Sequence, residues 1–457
     1  MSFRSGVVQV AAVGVLLLGT GCGTRLHKTS FATTTSANAG GSAQSTTSTK
    51  ANNNTASDVG VTPNEIRVGV VASITSPLGP DAFSQSSYSV RAYFDGLNDR
   101  GGINARKVKV ITCDDGGAGT DDSTCVQKLI EQDKVFALVG TSTFNYAGAP
   151  FVNQHGVPDI GGQPVGNEYD QYPHLFGIYG SSSPRNGTIG FNGKLYGGTE
   201  VYRYFKEKLG AKVAAVVSYN ISDSQRFANY TAAGLRAEGF KVVTAQVDFS
   251  APNWDAVALN FRSKKVDLVF DAIENNGNVK LCEAIDRNHA PIKAKVLTVQ
   301  SWSDSVRTDY KAAPICRNAL YATANDLSYA DTQYPPVAAF RADMKRSFPE
   351  REDKLSMWSV EGWAAAQWFD DAVRSCGEKV TRTCVEAFMN RAEPYDGHGL
   401  LTPRSFVVSI NPGGTSHNCL NVARWQDSAE GGRGGWVTQT PDMNANCFDV
   451  PSLAYSP

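Results

Sequence analysis

Short β-branched apolar runs alternate with amphipathic stretches from Val61 onward, and this alternation constrains the fold more than any other feature of the chain. Residues 66–71, 107–111, 135–139 and 157–160 read as strands. Residues 88–99 place Val90, Tyr93, Phe94 and Leu97 at helical spacing. A second helix over 122–134, capped by Asp122 or Ser123, turns Val126, Leu129 and Ile130 inward, and a third lies near 147–154. Strands separated by helices predict a parallel sheet covered on both faces. The order then starts again: helix 189–209, strand 213–217, helix 224–238, strand 242–247, helix 254–264, strand 266–271, helix 278–288 and strand 295–299. Two such doubly wound units without a long linker predict an α/β protein of two lobes of one kind. Helices near 335–347, 357–376 and 382–390 and strand-like pieces at 405–410, 419–425 and 435–440 then complete those lobes, because no third core is visible.

The start of the chain is of another kind. Arg4 precedes an apolar run over 7–18 that ends in Gly19, Thr20, Gly21 and Cys22. A cationic start, a short apolar core and small residues before a cut make an export signal. The run falls short of the roughly 20 residues that a membrane span takes. A cysteine directly after the small residues reads as a lipoprotein cleavage site, with Cys22 the lipidated first residue. The alternative is a plain secretory signal, since Gly19 stands where such sites carry an aliphatic side chain. Residues 1–22 are therefore assigned to the signal. Over 23–60 the composition collapses to Ser, Thr, Asn, Ala and Gly, too little apolar surface to offset ordering, so this segment reads as a disordered tether.

Charge and cysteine usage narrow the function. Lys and Arg number 43 against 44 Asp and Glu, without a long block of either sign. Nucleic acid is not an expected partner, because phosphate binding needs a clustered basic footprint. Of the 9 cysteines, setting Cys22 aside leaves an even set, as suits an oxidising compartment. Sequence leaves the connectivity open, but the order suggests local staples: Cys113 with Cys125, Cys282 with Cys316, Cys376 with Cys384, and Cys419 with Cys447. No CxxC pair occurs and the 6 histidines are scattered, so neither metal nor cofactor is expected. Asp114, Asp115, Asp121 and Asp122 lack the spacing of a calcium loop and read as turn and cap residues.

In open α/β sheets ligands bind beyond the carboxyl ends of the strands. The loops there carry Ser76, Ser142, Thr143, Asn145, Gln163, Tyr179 and Ser182 in the first half, and Tyr219, Glu274, Asn275 and Trp302 in the second. Hydroxyls and amides ahead of helices suit a small anion, and the aromatics Tyr146, Tyr179, Tyr219 and Trp302 suit a planar or apolar ligand body. The bland alternatives are capping for Ser142 and Thr143, core packing for Trp302 and a solvated loop for Glu274. Catalytic motifs are missing. The run from Gly140 lacks the closing glycine of a nucleophile elbow, there is no GxxxxGK[ST], and no histidine follows a strand. An exported hydrolase is disfavoured on that ground, and no enzymatic activity is expected.

The segments 62–69, 76–79, 99–104, 114–115, 139–142 and 155–158 together resemble, in order, the opening of the type I periplasmic substrate-binding family of ABC importers, typified by the leucine/isoleucine/valine-binding protein. The resemblance runs from about 62 to 440 and is strongest in the first half. It implies two Rossmann-like lobes joined by a three-strand hinge, with crossings near Ser181, near 322–324 and near 415–418. The first lobe would comprise 61–180 and 325–415, the second 181–324 and 416–457. In the family's amino-acid binders the carboxylate is held at places occupied here by Ser142, Thr143, Asn145 and Gln163. The amino group meets acids at places occupied here by Ser182 and by 301–302, with Glu274 able to substitute. The implied function is an extracytoplasmic solute-binding protein, monomeric and anchored to the cell membrane through lipidated Cys22, that delivers a small polar or amino-acid-like ligand to an ABC permease. The alternative is an extracellular sensor using the same flytrap. Expected ligands are branched-chain or aromatic amino acids, small carboxylates or amides.

Overall fold

The structure, a computed structural model, describes residues 53–76, 83–163, 165–408 and 413–456. The signal, Cys22 and the tether up to residue 52 lie outside the described residues.

Five strands build the first sheet: β1 (Glu65–Ala72), β2 (Lys107–Asp114), β3 (Ala137–Val139), β4 (Asp159–Gly162) and β5 (Leu175–Gly177). They lie in the order β2-β1-β3-β4-β5, every pair parallel. Helices α1 (Gln85–Asp99), α2 (Gly119–Gln127) and α3 (Ala149–Gln154) connect them. After β6 (Leu195–Gly197) and α4 (Glu200–Leu209) the alternation resumes with β7 (Val213–Tyr219), α5 (Ser222–Ala237), β8 (Lys241–Val247), α6 (Trp254–Lys264), β9 (Leu268–Ala272), α7 (Asn275–Arg287), β10 (Ala294–Leu297) and, beyond the one-turn helices α8 (Val306–Asp309) and α9 (Pro314–Arg317), β11 (Leu320–Ala324). These parallel strands are extended by antiparallel partners. With β12 (Thr415–Cys419), β13 (Asn421–Gln426) and β14 (Gly435–Thr438) named, the second sheet runs β14-β13-β11-β10-β9-β7-β8. Two ribbons complete the fold, β12 with β15 (Cys447–Pro451) and β6 with β16 (Leu453–Tyr455).

The late helices α10 (Pro335–Ser347), α11 (Met357–Ser375) and α12 (Arg382–Met389) return to the first sheet. α11 is apolar almost all round, as a helix enclosed on every side must be. It packs on α1 and β4. The approach is close enough that a Cβ on Gly161, whose φ is +70°, would collide with Ala365, and one on Gly362 would stand 2.5 Å from the Ser86 carbonyl.

Several local expectations change. Residues 189–199 are not helical, because Gly190 and Gly193 take φ of +53° and +79°, a left-handed backbone that breaks a helix. The helix expected over 122–134 starts at Gly119 behind Ala118, and its last turn, Lys128–Gln132, is π-helical. Asp122 is therefore no cap; its Oδ1 accepts from Gly148 N at 2.6 Å. Residues 405–408 form no strand, while 409–410 lie outside the described residues. The piece at 419–425 is divided between β12 and β13, and β5, β6, β15 and β16 were not anticipated. The four cysteine pairs are bonded, with Cα separations of 5.6, 5.4, 6.0 and 3.9 Å in chain order.

Three segments pass between the sheets: one leaving β5, one starting at Asn325 after β11, and one leading towards β12. They lie side by side, with Ser181 N bonded to Ser405 O at 3.0 Å and Thr402 N to Asn325 O at 2.8 Å. Buried Arg404 joins all three, donating to the carbonyls of Ile178 and Asn325 and to the Asp326 carboxylate.

Candidate functional site

On the first lobe, the small hydroxyl residues after β1 and β3 interlock. Ser142 N donates to Val71 O at 2.9 Å, Ser73 N to Ser142 O at 3.0 Å, and Phe144 N to Ser73 Oγ at 3.0 Å. Among the described residues Ser142 Oγ is buried without a hydrogen-bond partner; Ser76 and Thr143 are buried and Asn145 is exposed. The first turn of α11 covers this edge, with Trp358 5.2 Å from the Phe83 ring, which in turn lies 5.8 Å from Phe144. Tyr146 is not a cleft wall. It is buried, and its hydroxyl donates to Asp159 Oδ2 at 2.6 Å, a carboxylate that also accepts from Tyr169 and Thr141.

Gln163 and Tyr179 converge on a group that sequence reading missed. Gln163 Nε2 donates to Glu361 Oε2 at 2.6 Å and the Tyr179 hydroxyl to Oε1 at 2.8 Å. Glu361 is fully buried beside Asp326, and burial together with that second carboxyl pushes its pKa well above the usual range. The Tyr179 ring is 36 % exposed while its hydroxyl end is enclosed, and the Arg404 guanidinium lies 5.4 Å from the ring centre.

On the second lobe, the Tyr219 hydroxyl donates to Glu274 Oε2 at 2.6 Å, and Glu274 Oε1 accepts from Gly277 N at 2.8 Å. Glu274 thus caps α7, which accounts for an acid at that position without a ligand. Asn275 Nδ2 donates to Asp309 Oδ2 at 3.0 Å. Trp302 has no exposed surface and packs 5.8 Å from Trp436, so its ring belongs to the core; its carbonyl accepts from Met357 N at 3.2 Å. Ser182 is half-buried.

A cavity of about 340 Å³ opens where the second sheet meets the crossing segments. Phe270, Val296 and Thr298 border it from β9 and β10, Phe227 and Tyr230 from α5, and Tyr179 from the first crossing. Of the expected site residues only Tyr179 lines it. Glu200, the first residue of α4, also faces it and was missed. Between Ser182 and Glu200 lie the ribbon strand β6 and its flanking turns. The glycines at 187, 190, 193, 197 and 198 were the available signal that this stretch is not helical. Larger cavities of about 520 and 570 Å³ lie at the β14 edge and beneath the C-terminal segment, and neither includes an expected site residue.

A family profile described as periplasmic binding protein matches residues 65–432. No curated protein sequence matches the chain. Among solved structures, the branched-chain amino acid transporter substrate-binding protein LivJ of Streptococcus pneumoniae, in complex with isoleucine, superposes with a TM-score of 0.62 at 14 % identity, covering 85 % of this chain and 100 % of that one. A solute-binding protein of an ABC transporter from Rhodopseudomonas palustris, in complex with 3,4-dihydroxybenzoic acid, gives 0.62 at 15 %, covering 85 % and 98 %. A fatty acid ABC transporter substrate-binding protein from Thermomonospora curvata gives 0.61 at 17 %, covering 86 % and 97 %.

Proposed function

The chain belongs to the periplasmic binding protein family, and from that premise we propose that it captures a small molecule between its two lobes and presents it, chemically unchanged, to an ABC importer. The observation that carries this reading is the cavity beside the crossing segments, walled by both the second sheet and Tyr179. A ligand touching both lobes would favour the closed arrangement by its extra contacts there. We divide the chain into a first lobe of 61–180 and 325–415 and a second of 181–324 and 416–457; the two separate sheets, one parallel and one mixed, and the return of α11 to the first sheet support this division. Export, and anchoring through a lipidated Cys22, rest on the apolar run, the small residues before the cysteine and the tether-like composition behind it. Monomeric action and a membrane permease as partner follow the family resemblance.

Denaturing the purified protein should release a small molecule identifiable by mass spectrometry. Adding it back to emptied protein should lower the radius of gyration in small-angle X-ray scattering, and the compound should be recovered intact. A turned-over compound, or binding without compaction, would overturn the flytrap reading.

A further inference from the structure

We infer that the end of the second lobe opposite the cavity is a docking face for an anionic phospholipid surface, built by Lys208, Lys212, Lys241, Lys264, Lys265 and Lys293. The parallel strands β7, β8, β9 and β10 start side by side, with Val213 paired to Lys241, and Ala214 and Ala294 both to Leu268. The loops that enter these strands therefore share one end of the sheet. Backbone groups tie the loops together: Lys241 N donates to Lys212 O at 3.0 Å, Lys293 N to Asp267 O at 2.8 Å, and Lys212 N to Asp267 Oδ1 at 3.1 Å. The end of α4 joins them through Lys293 Nζ, which donates to Gly210 O at 3.1 Å. All six lysines are exposed. Four separate stretches of chain supply them, so the sequence shows no basic block.

Little negative charge answers them. Asp267 lies 3.5 Å from Lys293 Nζ, while Arg203 engages Glu238 at 2.5 Å and Glu207 at 3.9 Å. Among the described residues, Lys208, Lys212, Lys241, Lys264 and Lys265 form no ion pair. Lys208 and Lys264 stand in the last turns of α4 and α6, where a cation favours the helix end whatever it faces. Lys212, Lys241 and Lys293 belong to no helix, and that account does not reach them. An extended anionic surface meets several separated cations at once, each strengthening partitioning about fivefold. The proposed anchor supplies proximity: a polar chain of the length of 23–60 reaches roughly 35 Å on average, so a body held through it stays beside the bilayer. The cavity lies at the carboxyl ends of β9 and β10, the other end of the same sheet, so docking through this face leaves it free.

Sedimentation of the full chain with large vesicles tests this. Vesicles of phosphatidylcholine alone measure the uptake that is independent of charge. Vesicles of equal parts phosphatidylcholine and phosphatidylglycerol should bind the chain at least tenfold more tightly. Salt at about 0.5 M should remove most of that gain, because screening confines the attraction to a few ångströms. Combining Lys208→Gln, Lys212→Gln, Lys241→Gln and Lys264→Gln should weaken binding to the anionic vesicles at least tenfold, with uptake on neutral vesicles and melting temperature little changed. The same loss of charge from exposed lysines of the first lobe, Lys107→Gln, Lys109→Gln, Lys345→Gln and Lys379→Gln together, should preserve the gain. Absence of a preference for anionic vesicles, or equal losses in the two variants, overturns the assignment. Tighter binding, per phosphate, to soluble inorganic polyphosphate than to the anionic vesicles also overturns it, by giving the face to a soluble polyanion. Each of these outcomes leaves solute binding untouched.

Discussion

Glu361 lies in the second turn of α11 with no exposed surface, and each of its carboxyl oxygens accepts one buried donor. Asp326, Tyr179 and Gln163 face it, and the Arg404 guanidinium binds Asp326. Burial first, then Asp326, raises the Glu361 pKa. Burial likewise lifts Asp159 to about 6 and Asp122 to about 8. For each group the folded value exceeds the unfolded one, near 4. The stability each contributes is therefore complete below about pH 4 and lost as pH rises through the folded value. Denaturant midpoints should fall from about pH 4 to about pH 8, with Asp159→Asn flattening the part between about pH 4 and 6 and Glu361→Gln the part at higher pH. A midpoint that rises over the same range would contradict the buried-proton account. Glu361→Ala should cost about 2–4 kcal/mol by leaving Gln163 and Tyr179 as buried donors without an acceptor. None of this was legible beforehand, because an acid between Val360 and Gly362 reads as a solvated helix face until the fold encloses it. Hydroxyl residues at strand ends were legible, since strand and loop are local patterns; which of them face a cavity depends on how distant segments meet.

At the scale of elements, the strands and helices with strong periodicity were readable. α6 and α10 have the limits that the apolar spacing sets, 254–264 and 335–347. The errors fall where glycine changes the backbone or where long-range pairing creates a strand. Residues 195–197 become β6 only because 453–455 pair with them from the end of the chain. α11 shows the opposite case, a helix whose existence was plain but whose destination was not. Its contact with β4 depends on Gly161, which has positive φ and no room for a Cβ beside Ala365. Gly161→Ala combines backbone strain with overpacking, so a loss of about 2–4 kcal/mol is expected in urea unfolding. Gly101 also has positive φ, but nothing lies within 4 Å of its Cβ position, so Gly101→Ala should cost only about 1 kcal/mol. Equal losses at the two sites would show that helix contact is not what Gly161 protects.

Across the whole molecule, the three crossing segments are held to one another by polar contacts rather than by disulfides. Each of the four disulfides closes a loop of 8 to 34 residues, and none links the segments passing between the sheets. Arg404 does link them, through Ile178 O, Asn325 O and Asp326, while Asn421 Nδ2 donates to Asp326 O at 2.9 Å from the start of β13. Bending that leaves these bonds intact has to take place in the flanking backbone, which keeps the crossing segments in register as the lobes move. Lysine at 404 would keep the charge but lose the planar fork that reaches two carbonyls and a carboxylate together. Removing one partner of a buried ionic cluster costs about 3–5 kcal/mol, and Arg404→Lys should lose a large part of that because the reach is lost while the charge stays. The same variant should broaden the distribution of interlobe distances measured by spin labels placed one on each lobe. Reduction of the disulfides should lower the melting temperature and leave that distribution unchanged. A distribution that narrows in Arg404→Lys, or broadens on reduction, would transfer control of lobe motion from the buried guanidinium to the covalent staples.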